Sequence, residues 1–378
     1  MIKNINKLLL LFLLLIMPIT LCGCWDYEDI EKRSIVISIG VDKVNDTYEF
    51  YGEIAKLHSM TNMNSAVIPE SYVDIAYGSN FENGRLNIDR SGAYPTFLGA
   101  TRIVIFGKNY AEQGIEPYIN RINKLYDYRK TLLPVISKDS PKDILSQKIP
   151  NDIAVGFFIE HNINTLAKIG ESVYPTIGDI VYDINFENIG YVLPYIGIDN
   201  GSIRNLGLAI LKDSKLIDIL TGTDTKGLLY ILSKNPSFPE TFSLDKDSKN
   251  LLSFEPVKVK RHIKTSYVNN TVVIDLNLSL KEKLQYQYNI TPIDENKIKT
   301  LEKMLQKKIY NEVSSTIDRY QHKFKCDIFR FAKYFRAENP MIYNSINWND
   351  KFPEAKININ IDVDIINLNL FDSSAKKQ

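Results

Sequence analysis

The chain has 378 residues, 44% of them hydrophobic, with 46 Lys plus Arg against 45 Asp plus Glu. A net charge of +1 excludes nucleic-acid binding driven by phosphate neutralisation, and equally a polybasic attachment to anionic lipid. Three cysteines are too few for a disulfide framework, so stability must come from burial, for which this length is ample.

Lys3 and Lys7 open the chain, Leu8 to Ile16 is wholly apolar, and Pro18 and Thr20 break the run before Leu21-Cys22-Gly23-Cys24. A basic start, a short apolar stretch and small residues ahead of a cut make a secretory signal peptide. Leucine, two small residues and a cysteine is the order of the bacterial lipobox. Residues 1–23 are therefore expected to be removed, and Cys24 to carry the diacylglyceryl and fatty acyl (palmitate) chains. The rival readings are an uncleaved membrane anchor and an ordinary signal with a chance cysteine. The run is apolar for about 15 residues, short of the roughly 20 that span a bilayer, and Leu21 and Gly23 speak against chance. Two or three acyl chains make a stable anchor. The first strand-like run, Ile35 to Val41, starts about ten residues on, so the folded body is expected within roughly 35 Å of the membrane.

Tyr48 to Leu57 reads as the antiparallel partner of that first strand, and residues 58–70 are polar and without period. Thr101 to Phe106 is a further strand. Ile115, Ile119, Ile122 and Tyr126 fall near a helical period over residues 111–126, with Pro117 acceptable in a first turn. Thr131 to Ser137 reads as a strand, Ser140-Pro141 opens a helix, and Thr176 to Tyr182 reads as another helix. Tyr191 to Ile196 is a short apolar run, and residues 197–202, GIDNGS, are the best linker candidate. Leu206 to Leu211 and Leu216 to Leu220 are strands around the turn Lys212 to Lys215. Thr223 to Leu232 is expected to be helical, and residues 233–250 a loop or exposed hairpin.

The last third is patterned most clearly. Val272, Ile274, Leu276, Leu278 and Leu280 alternate with Asp275, Asn277 and Ser279, the signature of a half-buried strand. Residues 294–324 carry Ile298, Leu301, Leu305, Ile309, Val313 and Ile317 on one helical face, which should lie on a sheet. Residues 356–365 alternate again, and the pair Ile365-Ile366 shifts the apolar parity as a bulge would. The two strands and the helix are expected to form an antiparallel sheet with a helix packed on it.

No catalytic or metal motif accompanies this pattern. His58, His161, His262 and His322 are far apart, with no HExxH and no His/Cys pair at metal spacing. Neither a phosphate-binding glycine loop nor a nucleophile elbow is present. Cys326 would share a helical face with Phe329 and Lys333 and reads as a small buried apolar residue. No catalytic residue, metal ligand or cofactor is assigned, and the chain is expected not to be an enzyme.

Three segments resemble the Ger(x)C family of spore germination lipoproteins. LCGCWDYEDIEKRSIVISIGVDK runs, as that family does, from a lipobox cysteine (Cys24) through Trp25-Asp26 and an acidic stretch into a strand ending at Lys43. NLGLAILKDSKLIDILTGTDTKGLLYIL, Asn205 to Leu232, is similar to the family's Gly-Leu-Ala segment and its turn into a helix. KFKCDIFRFAKYFRAENPMIYNSINWNDKFPEAKININIDVDI carries Asp327, Ile328, Phe329, Trp348, Phe352 and Pro353 in the family's C-terminal order. Two departures stand out. Residues 78–99, broken by Gly78, Gly84, Gly92 and Pro95, lack the regular stripe of the family's helix before the Thr101 strand. The chain also ends NLNLFDSSAKKQ, where the family's last strand leads to a glycine.

The resemblance implies an α+β protein of two or three mixed domains: signal 1–23, N-terminal domain 24–199, C-terminal domain 200–372 with a possible split near 250, and tail 373–378. It further implies a lipid-anchored, non-enzymatic subunit of a germinant receptor on the outer face of the spore inner membrane. The implied partners are an integral A-type and a transporter-like B-type subunit. A solute-binding lipoprotein of a transporter is the alternative, although that class shows two similar α/β lobes, and an exported hydrolase is a third reading without a signature.

Overall fold

The computed structural model describes residues 7, 12, 29–56, 70–149, 152–187, 189–243, 251–288 and 293–367. Cys24 and the tail 373–378 lie outside these, as do most of residues 1–23 and of the irregular 58–70 stretch. The described elements, in chain order, are β1 (Ser34–Val44), β2 (Thr47–Ala55), β3 (Ser71–Gly78), α1 (Phe81–Ser91), β4 (Thr96–Phe97), β5 (Ile103–Gly107), α2 (Lys108–Gln113), α3 (Glu116–Lys124), β6 (Leu133–Ser137), α4 (Pro141–Leu145), α5 (Val155–Lys168), α6 (Ile177–Tyr182), β7 (Tyr191–Asp199), β8 (Ser202–Lys212), β9 (Lys215–Thr221), α7 (Lys226–Leu232), β10 (Glu240–Ser243), β11 (Leu251–Val268), β12 (Thr271–Gln287), α8 (Glu295–Asp318), α9 (Phe331–Glu338), two short turns of helix α10 (Pro340–Tyr343) and α11 (Trp348–Lys351), and β13 (Lys356–Asn367). The fold is α+β with mixed sheets, as the sequence led one to expect.

The first sheet runs β3-β2-β1-β5-β6-β7-β8-β9, with β4 beside β1. Its centre, β1-β5-β6-β7, is parallel and its two flanks are antiparallel hairpins. Central strands buried on both faces read as continuous apolar runs, as Ile103 to Phe106 does. Val104 and Phe106 meet α2, α3 and α6 on one face, while Ile103 and Ile105 meet α4 and α5 on the other.

Four hairpins share one turn chemistry. Asn45-Asp46, Asn200-Gly201, Asp213-Ser214 and Asn269-Asn270 all take positive φ at both positions, which Asn, Asp and Gly tolerate and which matches the twist of paired strands. The second of these corrects the linker expectation. GIDNGS is the tight turn joining β7 to β8 in one sheet. Val192, Leu208 and Ile210 from these strands, with Leu220 from β9, then enter the same core as α7, α8 and the second sheet. The chain passes from one sheet to the next through shared packing.

The helix that the glycines obscured is present as α1. Asn80 caps it, accepting from the Asn83 amide at 2.9 Å, and Gly92 ends it. Helix α5, unmarked in the sequence reading, starts under a carboxylate supplied by β2. Buried Glu53 accepts from the amides of Val155 at 2.6 Å and Gly156 at 2.9 Å, satisfying donors that a helix start leaves orphaned.

The second sheet runs β10-β11-β12-β13. Val272, Ile274, Leu276, Leu278 and Leu280 are buried against α8, whose Leu301, Leu305, Ile309, Val313 and Ile317 are buried in turn. One relation differs from expectation. β13 runs parallel to β12, not antiparallel. The 24-residue helix α8 carries the chain back along the sheet, so the next strand starts from the same end, as in a β-α-β crossover. The bulge falls where parity shifted, since Ile365 faces Glu282 and Asn367 faces Lys283, leaving Ile366 over. Cys326 and Phe329 lie before α9, not on one helical face with Lys333.

Candidate interaction surface

The two sheets differ in what covers them. Among the described residues, helices lie on both faces of the first, but only on the apolar face of the second. The opposite face of β11, β12 and β13 is polar because strand side chains alternate, and directly paired residues share a face. Its rungs are Lys260-Ser279-Asp362, His262-Asn277-Asn360 and Lys264-Asp275-Asn358. Asn358 Nδ2 donates to Asp275 Oδ1 at 2.7 Å, and Asn360 Nδ2 donates to Asn277 Oδ1 at 3.0 Å. These lateral bonds fix the amides while leaving further donors and acceptors outward. Lys260, His262, Asn277 and Asp362 border a shallow depression on this face.

Exposed tyrosines lie elsewhere. Tyr72 and Tyr77 stand on β3, the edge of the first sheet, and Tyr286 and Tyr288 meet edge to face at 4.9 Å at the far end of β12. The sequence pointed to polar strand faces and tyrosines as contact candidates. The structure brings the Asn and Asp residues of β12 and β13 together, and keeps the tyrosines apart from them.

Chemistry is not assembled around the histidines. His161 sits 3.4 Å from Asp152 and His322 2.9 Å from Asp318, both exposed, and His262 lies on the polar sheet face. His58 is outside the described residues. No group of three His, Cys, Asp or Glu side chains able to hold a metal occurs among the described residues. Burial pushes the Cys326 thiol up to about 12, so it is no thiolate at neutral pH.

Several buried carboxylates escaped the sequence reading, because acidic residues in a long chain carry no signal until they are placed. Asp327 accepts from the amides of Phe329, Phe331 and Ala332 and from Trp348 Nε1 at 3.1 Å. It thereby pins the start of α9 to the Trp-Asn segment. Burial nevertheless holds its carboxyl up, at about 6. Buried Glu240 takes Lys226 at 2.9 Å and also Lys308. Beside it, burial raises Glu282 to about 8 and Glu312 to about 7, with the Glu240 charge adding to both. Glu312 lines a depression of about 320 Å³ with Asp224 and Arg319, whereas Glu282 is fully buried. These groups organise α7, α8 and the second sheet.

Comparison with known proteins covers nearly the whole chain. The family described as "Spore germination protein N-terminal domain" matches residues 26–198, and that described as "Spore germination B3/ GerAC like, C-terminal" matches residues 206–369. Spore germination protein B3 of Bacillus subtilis (strain 168) is 21% identical over 97% of this chain and 98% of its own. Spore germination protein KC of the same organism is 22% identical over 99% of both chains. The crystal structure of the GerBC protein superposes with a TM-score of 0.58 at 18% identity, over 87% of this chain and 97% of that one.

Proposed function

Since the chain belongs to the Ger(x)C family of spore germination proteins, we propose that it is a lipid-anchored subunit of a germinant receptor that works by binding and performs no chemistry. Cys24 carries the lipid, and the body is held on the outer face of the spore inner membrane. Its partners there are integral subunits of the A and B types. The observation that carries this reading is the uncovered polar face of the second sheet. A face without helices among the described residues, in a fold that covers both faces of its other sheet, is a surface available to another protein. Tethering keeps such a surface at high local concentration near membrane partners, so modest contacts suffice.

No helix among the described residues is long and apolar enough to cross a membrane; attachment in this proposal is assigned to the acyl chains on Cys24. Division at residues 199 and 200 into two functional units is likewise part of the proposal, and it agrees with the spans of the two family matches.

The test deletes the gene in a spore-former and measures nutrient-triggered germination. Complementation uses the parent chain, a Cys24→Ala chain and an Asn277→Arg, Asn360→Arg double variant. Loss on deletion, rescue by the parent and failure of the sheet-face variant at normal protein level are expected. Unimpaired germination through every nutrient receptor would sink the receptor reading. Full rescue by the double variant would move the contact surface elsewhere.

A further inference from the structure

The second sheet's helical layer meets the first unit around Asp183. This carboxylate is fully buried and takes Arg330 Nη2 at 2.9 Å and Lys333 Nζ at 2.7 Å. Arg330 holds a left-handed backbone, φ 64°, immediately before α9. Beside this junction lies a cavity of about 430 Å³, within the size range of small-molecule sites and at the kind of inter-unit seam where they concentrate.

Its charges do not balance. Lys234, Arg261, Arg330 and Lys333 line it, against Asp179 in the wall and Asp183 behind Arg330 and Lys333. Arg261 is anchored to the backbone carbonyls of Ile231 and Ser233, which are neutral acceptors and leave its charge uncompensated. Lys234 is exposed and has no ion pair among the described residues. Two positive charges are left over at the mouth of a concave site.

A second observation concerns the wall of the same cavity. Ser233 lines the cavity with 8% of its surface exposed, and its Oγ has no hydrogen-bond partner. Buried hydroxyls without partners are uncommon and costly. The remaining walls, including Val173, Ile231 and Phe329, are apolar. They favour a carbon skeleton over a bare inorganic ion.

We infer that this inter-unit cavity is a binding site for a small organic dianion, a dicarboxylate with an apolar body, held by Lys234 and Arg261 with Ser233 Oγ donating to one carboxylate. Planar guanidinium suits carboxylate oxygens, and the two surplus cations match two carboxylates. The site is separate from the polar sheet face and does not depend on the receptor reading.

Titration calorimetry on the full chain in detergent, at constant ionic strength, tests this with sodium succinate, neutral succinamide and inorganic phosphate. Saturable 1:1 binding of succinate and none of succinamide are expected. Ser233→Ala should weaken succinate about fivefold and Lys234→Glu about tenfold or more. Neither side chain has a polar partner among the described residues, so neither variant should melt below the parent when unliganded, and Ser233→Ala, which removes a buried unpaired hydroxyl, should melt at or above it. No saturable succinate binding, equal binding of succinamide, or unchanged affinity in Lys234→Glu would overturn the site. Inorganic phosphate binding tighter than succinate would overturn its assignment to a carbon-based dianion.

Discussion

Gly84 lies directly against the Phe50 ring, and a Cβ built on it would stand 2.2 Å from two of the ring carbons. The contact docks α1 on β2, where Phe50 also meets Phe81 and Tyr118. Phe50 is buried on the α1 and α3 side of the sheet, so its ring cannot swing into solvent without opening that core.

Gly84→Ala should therefore destabilise the chain, although alanine is the better helix former by about 1 kcal/mol. Overpacking typically costs about 1–3 kcal/mol, and here the neighbour is a fully packed ring. A lowered denaturation midpoint with unchanged slope is expected; a raised midpoint would mean that α1 can lift away freely.

Leu305, wholly buried on α8, sits where the helical stripe meets the second sheet. Leu305→Asp should cost several kcal/mol, on the order of 3–5, by placing an unpaired charge there. Thermal melting that barely moved would show that the assigned face is wrong.

Glu282 gives a pH signature. Burial, with Glu240 and Glu255 adding repulsion and Lys226 opposing it, lifts its carboxyl to about 8 from an ordinary 4.5. The folded state thus binds a proton more tightly than the unfolded state. Its contribution is full below the unfolded value, shrinks as pH rises through that window, and is gone above about 8. Glu282→Gln should flatten the decline and stabilise the chain at pH 9, by on the order of 1–3 kcal/mol. Urea titrations at pH 5, 7 and 9 would check it; parallel curves for parent and variant would refute it.

For the proposed anchor, mass spectrometry of the mature N-terminus should find a diacylglyceryl group on Cys24. A Cys24→Ala chain should leave the membrane fraction without detergent. If it stayed firmly bound, something other than the acyl chains would be holding it.

Legibility in the sequence followed periodicity. β12, α8 and β13 were plain because each buries one face and alternates cleanly. The direction of β13 was not, since alternation is the same for parallel and antiparallel strands and only the length of α8 decides it. The Asn200-Gly201 hairpin carried its own signature, but Gly and Asn between apolar runs look alike in a linker and in a tight turn. Helix α1 was hidden by Gly84, whose reason is the distant Phe50 ring. The polar rungs could be read strand by strand, yet their register could not. The cavity beside Asp183 gathers Ser172, Ser233, Arg261 and Arg330 from distant parts of the chain, and no local pattern announces it.

The pairing of β12 with β13 has a kinetic side. Asp275 and Asn358 meet across 83 residues, with all of α8 and α9 in between. Closing so long a loop is slow compared with forming a hairpin. Because β13 follows β12 only after α8 and α9, the β10-β11-β12 meander must wait with one edge of β12 unpaired until that intervening stretch has been synthesised. Maturation of the second sheet is thus tied to the synthesis of β13, and a protein truncated before Lys356 would present that edge to other chains instead.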